Sequence, residues 1–586
     1  MNQIYQLGLV TVVVFVLYGN TISNDYSFDD IYVTNNREVS KGFTVIPDLW
    51  TSLYANLQED GKPLSFGYRP VVKTTFAAEF GLFGRNPHAS HFINILLYLL
   101  TCILLYKILL KLLQGYHHIF PMVIILLFIA HPSHTEVVSS LKNRDELLSF
   151  LGGVGTLYMF LKYFESNKIY HAIIGLLIFL LGYLSKPTIS VFIPLFPLIL
   201  YFFTKPRTGQ VVFFLLSIVV ILYLARAVPR IYLPKPSRPV QFIENQLYFE
   251  ESFWLKASTG LSILWFYLQK LVFPHPLVFY YGYNMVPTVG WGNLTVIASL
   301  FVHAGLFVFA LFKIKEKHII SFGILAYLIA IVIFSNVFKQ AMGIVADRFM
   351  YFPSLGFTVI LAWVILKLSR TDPRSNYIPG KMISRIVIIS LVVLIPYSGK
   401  TITRNSQWDN QVKLLKADID YAKESAKANL IYSGTMKGEV MKALKSGIKM
   451  NPKLSAEIDD IKYRLTLATN LYPDYYQAWD MLGTIYMSVQ KDYSSAIPYF
   501  DKTLTIKADY LPAYTNRGNC YAKIKAYNEA IRDFEIALEM DPQSLQANGG
   551  LYNIYKELDD VAMMSFYGQK TKELQDKLKR RMGKTN

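Results

Sequence analysis

Apolar positions along this chain come in two regimes. Through the first 400 residues they form long, nearly unbroken stretches, and polar residues are confined to the breaks between them. Beyond residue 400 the sequence reads like an ordinary soluble protein. Crossing a bilayer as a helix takes about 17–25 apolar residues. Stretches of that kind fall at 4–21, 89–112, 119–137, 144–163, 169–184, 188–203, 210–228, 293–312, 319–337, 349–367 and 384–399, and 257–273 is ambiguous. The expected fold class is all-α: a polytopic transmembrane domain over 1–400 with about 11–12 spans, a linker at 401–424 and a helical domain at 425–578. The apolar run from Tyr5 to Tyr18 lacks a positively charged start and a small-residue cleavage site before Asp25, so it reads as a retained first span.

The soluble part carries a repeat. Trp479, Leu482, Gly483, Tyr486, Ala496 and Phe500 are followed about one period later by Tyr514, Gly518, Tyr521, Ala530, Phe534, Ala537 and Pro542. This is the tetratricopeptide pattern with a period of about 34 residues, with one extra residue near Lys491–Asp492. Small residues let the two helices of a hairpin approach, and aromatics fill the seam. Weaker copies fit 426–474 and 548–575, giving roughly four units of an α-solenoid whose concave face suits an extended polypeptide partner. Contact with the membrane domain or with a second copy is the plainer alternative.

Charge sorts the breaks. Lys107 and Lys111, Lys162 and Lys168, Lys205 and Arg207, Lys313, Lys315 and Lys317, then Lys367, Arg370, Arg374, Lys381 and Arg385 mark one side. Positive connections stay cytoplasmic, which puts the N-terminus inside. Segment 22–88, residues 229–256 and the repeats then lie outside. With 53% hydrophobic and 17% charged residues the chain is neither a single globular enzyme nor a disordered scaffold. The net charge of +18 requires no nucleic acid. Inward-facing charge and the tail Lys577, Lys579, Arg580 and Arg581 point to anionic membrane lipid instead. Cys102 and Cys520 are too far apart in sequence to suggest a zinc site or a disulfide framework.

Ionisable groups near a bilayer are costly and mark candidate chemistry. Five clusters stand out. Asp29 and Asp30 follow the first span, where one of a carboxylate pair can act as a general base or both can simply be solvated. Arg69 stands in Tyr68-Arg69-Pro70, and His91 and Asn94 share a helix face at i, i+3. A buried, satisfied histidine is the alternative there. His131-Pro-Ser-His134-Thr-Glu136 precedes Arg144-Asp145-Glu146. His131, His134 and Glu136 offer a metal-ligand set, although the intervening proline argues against it, and recognition of a phosphate by His134 and Arg144 is the competing use. Lys186 lies between two apolar helices and calls for an anion, or snorkels. Arg348 opens a late span, with Asp347 beside it as a neutralising partner. A carboxylate pair and several cations facing lipid suit a lipid-phosphate substrate.

These strings, in this order, resemble the transmembrane and tetratricopeptide-repeat O-mannosyltransferase family (TMTC), of the GT-C glycosyltransferase superfamily. The match runs through Asp29-Asp30, YRP at 68–70, NPHASHFINILLY at 86–98, HPSHTEVVSSLKNRDELLSF at 131–150, LSKPT at 184–188, ENQLYF at 244–249, FPHPLVFYYGYNMVP at 273–287, ADRFMYFPSLGF at 346–357 and RNSQW at 404–408. The resemblance implies transfer of a mannose-like sugar from a polyprenyl-phosphate donor to a protein hydroxyl on the non-cytoplasmic side, with inversion. It implies no cofactor and no metal. Asp30 or Asp29 would be the base, and Arg69, His131, His134, Arg144, Lys186 and Arg348 would contact the donor phosphate. His91, Asn94, Glu136 and Asp145 would support them. Trp479, Gly483, Tyr486, Tyr514, Gly518 and Tyr521 would build the repeat seam that presents the acceptor. Ile31-Tyr32-Val33, Pro187, Asp347 and Phe279-Tyr280-Tyr281 depart from the family pattern and leave the sugar open. The composition looks bacterial, which implies an inner-membrane location and an undecaprenyl donor; a eukaryotic source would imply the ER membrane and a dolichyl donor. The rivals are a non-catalytic anchor for the repeat array and an enzyme that modifies an envelope glycan or lipid.

Overall fold

The computed structural model describes residues 3–34, 39–59, 62–235 and 238–583. They fall into two compact units, a larger one running to Asp418 and a smaller one built on Ile419–Asn586.

Each of the eleven apolar stretches is helical. Gln3–Ser23, Pro87–Leu112, Leu141–Ser166, Thr208–Tyr232, Leu294–Ile314 and Gly380–Gln407 are long and apolar enough to cross a membrane. Ile169–Ser185, Pro187–Phe203, Ile319–Val332 and Pro353–Leu368 are shorter apolar helices. The remaining stretch is broken, with Ile119–Ala130 and Pro132–Ser139 meeting at 51°. Pro132 has no N–H to extend the first helix, and the His131 ring accepts from the Ser133 amide at 3.3 Å to start the next turn. The ambiguous 257–273 is the 20-residue helix Phe253–Val272. Its buried face is Thr259, Ile263, Tyr267 and Leu271, while Phe253, Trp254 and Val272 are exposed.

Burial separates centre from perimeter. Two-thirds of Leu141–Ser166 (67%) is buried against 11% of Thr208–Tyr232 and of Gly380–Gln407. Close helix crossings use small residues, as membrane interfaces do. A Cβ on Gly152 would lie 2.8 Å from the Cα of Gly182, and one on Gly356 would lie 2.4 Å from the Tyr327 amide nitrogen.

The lysine-rich breaks meet at one end of the bundle. Lys111 donates to Glu165 at 2.7 Å, Gln210 to Asn167 at 2.9 Å, Tyr201 Oη to the Ile314 carbonyl at 3.3 Å, and the His117 amide to the Pro373 carbonyl at 2.8 Å. At the other end, segment 22–88 contains the Phe28–Asp30 turn, a two-stranded hairpin (Ala55–Glu59 and Lys62–Phe66) and the helix Pro70–Phe83. Pro70 opens that helix, where its missing N–H costs nothing. Val72, Phe76, Ala77 and Phe80 bury one face.

The segment expected as a linker, 401–424, is mostly wall. Gly380–Gln407 continues past residue 400 and Gln411–Asp418 follows it. Asn405 donates to the Leu17 carbonyl and accepts from Ser139 Oγ, both at 2.8 Å. Arg404 pairs with Asp418, both buried, at 2.5 Å. The polarity that reads as solvent-facing linker satisfies buried hydrogen bonds.

The second unit is four helical hairpins: Ala426–Lys445 with Pro452–Leu471, Tyr476–Gln490 with Tyr493–Ile506, Leu511–Lys523 with Tyr527–Met540, and Leu545–Glu557 with Val561–Gly583. Glycines and aromatics meet inside these hairpins. A Cβ on Gly483 would come within 2.7 Å of the Phe500 ring, and one on Gly518 within 3.0 Å of Phe534. Trp479 and Tyr486 stack on Tyr499 at 6.3 and 5.2 Å. Tyr514 and Tyr521 flank the Arg517 guanidinium at 5.6 and 5.9 Å, itself held by Asp501 and Asp533. The extra residue near Lys491–Asp492 is absorbed by a π-helical turn at Ile485–Gln490 ending on Lys491 in the left-handed region, φ 62°. The flanking copies match weakly because asparagine replaces tryptophan at one job. Trp479 Nε1 donates to the Pro473 carbonyl at 2.8 Å, and Asn429 and Asn548 donate over the same six-residue reach to Lys423 at 2.8 Å and Pro542 at 3.4 Å.

Candidate active site

The charged end of the bundle is assembled from interruptions: the Phe28–Asp30 turn, the residue before Pro70, the break at 140–145, the turn at Lys186 and the residues before Tyr351. Helix ends leave backbone N–H and C=O groups unpaired, and the side chains at these breaks supply their partners.

The two aspartates of the acidic pair face different ways. Asp30 is fully buried. Its carboxylate accepts from the Ser27 amide at 3.0 Å, the Lys142 amide at 2.9 Å and Ser140 Oγ at 3.3 Å. Burial pushes the carboxyl up to about 7, while the Lys142 and Ser27 amides favour the carboxylate. Asp29 is half-buried; its carbonyl accepts from the Ile31 amide, while its carboxylate has no hydrogen-bond partner among the described residues. Its charge is felt by Lys142, Arg348, Tyr54 and Tyr280. Phe28, just before it, sits at φ 44°, a conformation bulky residues rarely adopt, with its ring against Phe279 at 5.3 Å. Strain of this kind gathers at functional positions.

Three of the six candidate phosphate cations are sealed. Arg144 is fully buried, ion-paired to Glu79, donating to Asn94 Oδ1 at 2.7 Å and the Ser90 carbonyl at 3.0 Å, with Phe76 beneath it at 3.9 Å. His134 is held between Tyr98 Oη and Ser354 Oγ, both at 2.8 Å. His131 bonds the Leu271 carbonyl at 2.9 Å and Ser133 Oγ at 2.8 Å. His91 likewise meets the Asp25 carbonyl at 3.2 Å, and Asn94 donates to the Val138 carbonyl at 3.1 Å. These residues brace the fold. The possible metal set also disperses: His131 and His134 are 5.8 Å apart ring to ring with partners of their own, and Glu136 is turned to Arg348.

The other three cations keep part of their side chains exposed. Arg69 (side chain 19% exposed) pairs with Asp145 and lies over the Tyr54 ring at 4.7 Å. Lys186 (12%) bridges Asp145 at 3.1 Å and Glu146 at 2.8 Å, and Thr188 holds the second Glu146 oxygen at 2.8 Å. Arg348 (21%) pairs with Glu136 at 2.5 Å, and its amide donates to the same carboxylate at 2.7 Å. Asp347, expected to neutralise Arg348, points away. It accepts from Tyr281 Oη at 2.7 Å and the Val278 amide at 3.2 Å, and burial followed by the Glu136 charge pushes it up to about 7. With Asp418, which takes the Phe279 amide at 2.6 Å, it pins the 276–281 loop beside Phe28.

Sequence reasoning missed Lys142, which lies inside the most specific motif and feels Asp145, Arg348, Lys186 and Asp29. It also missed Glu79 on the unanticipated Pro70–Phe83 helix. The half-buried Asp29 carboxylate and the surrounding cations can accept a proton on one side and balance a phosphate on the other.

A bundle of membrane-length helices with such a site at one end, carrying tetratricopeptide hairpins, defines a polytopic membrane protein with an attached α-solenoid. A tetratricopeptide repeat model matches residues 512–544. Over most of its length the chain is similar to TMTC-type proteins. Protein O-mannosyl-transferase F38B6.6 of Caenorhabditis elegans is 22% identical over 70% of this chain and 57% of its own length. Human protein O-mannosyl-transferase TMTC1 is 23% identical over 80% and 55%, and mouse TMTC3 is 22% identical over 95% and 66%. The chain thus spans between 55% and 66% of the length of these relatives.

Proposed function

We propose that this chain is an integral-membrane, inverting glycosyltransferase of the GT-C class that moves a mannose-like sugar from a polyprenyl-phosphate donor to hydroxyl groups of a protein acceptor. The names of its relatives support sugar transfer to protein. The lysine-rich end of the bundle reads as cytoplasmic, so the reaction takes place at the opposite, non-cytoplasmic face. The repeats bind the acceptor polypeptide.

The observation that carries the mechanism is the half-buried, unengaged carboxylate of Asp29 in the field of Lys142 and Arg348. Asp29 takes the proton of the acceptor hydroxyl as its oxygen attacks the anomeric carbon. The bond from that carbon to the phosphate oxygen breaks on the opposite side, and the lipid phosphate leaves with the bonding pair. Arg69, Lys142, Lys186 and Arg348 neutralise it. Asp30 is the anchor of the segment, its oxygens occupied by main-chain amides and Ser140.

Turnover of a radiolabelled polyprenyl-phosphate mannose tests this in purified protein. Asp29→Asn should lower kcat by about 10²- to 10⁴-fold, the range of a general base, at unchanged thermal stability. Asp30→Asn turns an amide NH₂ toward N–H donors and should chiefly lower stability. Wild-type rates in Asp29→Asn, with a folded but inactive Asp30→Asn protein, would return the base to Asp30.

A further inference from the structure

Thr208–Tyr232 is one of the two least buried long helices of the bundle, with only 11% of its apolar window buried, yet it carries two arginines. Arg226 and Arg230 are exposed, and neither forms an ion pair with a described carboxylate. From Thr208 at the lysine-rich end to Arg226 is about 27 Å at 1.5 Å per residue, close to the far boundary of a hydrocarbon core of about 30 Å. Their i, i+4 spacing puts both guanidinium groups on one face. Arg226 Nε donates to Tyr183 Oη at 2.8 Å, which fixes the side chain and leaves its terminal N–H groups without a partner among the described residues. Below the pair, Val219, Leu222 and Tyr223 continue the same stripe as a groove of about 410 Å³. At that boundary, without a described protein anion, two guanidinium groups on one face suit a lipid-borne one.

Two contacts tie this groove to the charged opening. Tyr183 lies one helical turn before Lys186. At the end of the arginine helix, Tyr232 Oη meets Tyr68 Oη at 3.2 Å, next to Arg69. We propose that Arg226 and Arg230 form a docking seat, outside the catalytic opening, for the phosphate of the polyprenyl-phosphate donor, with the isoprenoid chain along Val219, Leu222 and Tyr223. The seat receives the donor from the bilayer and hands its phosphate to Lys186 and Arg69. This rests on the donor assignment above, and the continuity with Lys186 and Arg69 favours the donor over a bulk phospholipid.

The test uses the full chain in phosphatidylcholine nanodiscs and a polyprenyl phosphate, without sugar, carrying a photoreactive group on the isoprenoid. Labelled peptides should come from Thr208–Tyr232. Arg226→Gln with Arg230→Gln should raise the half-saturating probe concentration by about tenfold or more at unchanged thermal stability, and tenfold excess phosphatidylglycerol should not displace the probe. Tyr183→Phe, which frees Arg226 without removing charge, should raise it by about threefold. Labelling unchanged in the double variant overturns the proposal, and so does displacement by phosphatidylglycerol, which makes the seat a general anionic-lipid site. Should the double variant unfold, an unchanged Tyr183→Phe value overturns it alone. Wild-type protein that takes up the probe this way but transfers no sugar keeps the seat and removes the transferase reading. Transfer without labelling of this helix does the reverse.

Discussion

Arg144 and Asp145 are adjacent in sequence and belong to two different regions. Arg144 turns into a sealed brace with Glu79, Asn94 and Ser90 and has no exposed surface. Asp145 turns the other way, into a rim where Arg69, Lys186 and Arg348 keep part of their surface open. Both regions use the same residue types, and both pair almost every charge with an opposite one. What differs is access. A buried pair that loses one partner leaves an uncompensated charge, whereas a rim cation can exchange its carboxylate for a ligand phosphate.

That contrast can be broken or sharpened by experiment. The largest effect expected at the rim is the loss of turnover in Asp29→Asn at constant stability. In the brace the signature inverts. Arg144→Met strands the Glu79 carboxylate and should cost about 3–5 kcal/mol of stability, with kcat per folded molecule unchanged. A folded, stable Arg144→Met protein with lost donor affinity would erase the distinction. Next comes pH. Asp30 is pushed up to about 7, so between its ordinary range near 4 and about 7 the folded segment holds a proton that the opened segment releases. Stability of segment 24–34 should therefore fall as pH rises through that window, by on the order of 4 kcal/mol, and level off above it. Hydrogen exchange at the two ends of the window measures this, and Asp30→Asn should flatten the slope. The smallest change is expected for Lys186→Met. Asp145 keeps Arg69 and Glu146 keeps Thr188, so the stability loss should be smaller than for Arg144→Met, while donor KM rises about 10- to 100-fold, the worth of a charged hydrogen bond.

The difference between brace and rim also explains what could be read in advance. The apolar helices of the first unit were legible because a bilayer selects composition directly. The repeat seam was legible because glycine beneath an aromatic ring is a steric requirement, as at Gly483 under Phe500. Ionisable residues were legible as a set but not one by one. The cost that keeps Arg144, His131 and His134 paired is the same cost that gives Arg69 or Lys186 a ligand, and sequence carries no distances. Two signals were present and passed over. Ser27-Phe28-Asp29-Asp30 spells a capping box, which commits the Asp30 side chain to the Ser27 amide. Val72, Phe76 and Phe80 in the first outer segment have helical spacing and announce the helix that carries Glu79.

The hydrogen bond from the Lys142 amide to Asp30 has a mechanical consequence. It clips the strand-free turn bearing Asp29 to the same backbone step from which the Lys142 side chain projects. If the turn shifts to admit an acceptor chain, Asp29 and this cation travel together as one part. The separation between Asp29 and Lys142 is then a property of a single joint, set before any ligand arrives, while Arg69 and Arg348, mounted on other elements, are free to adjust separately.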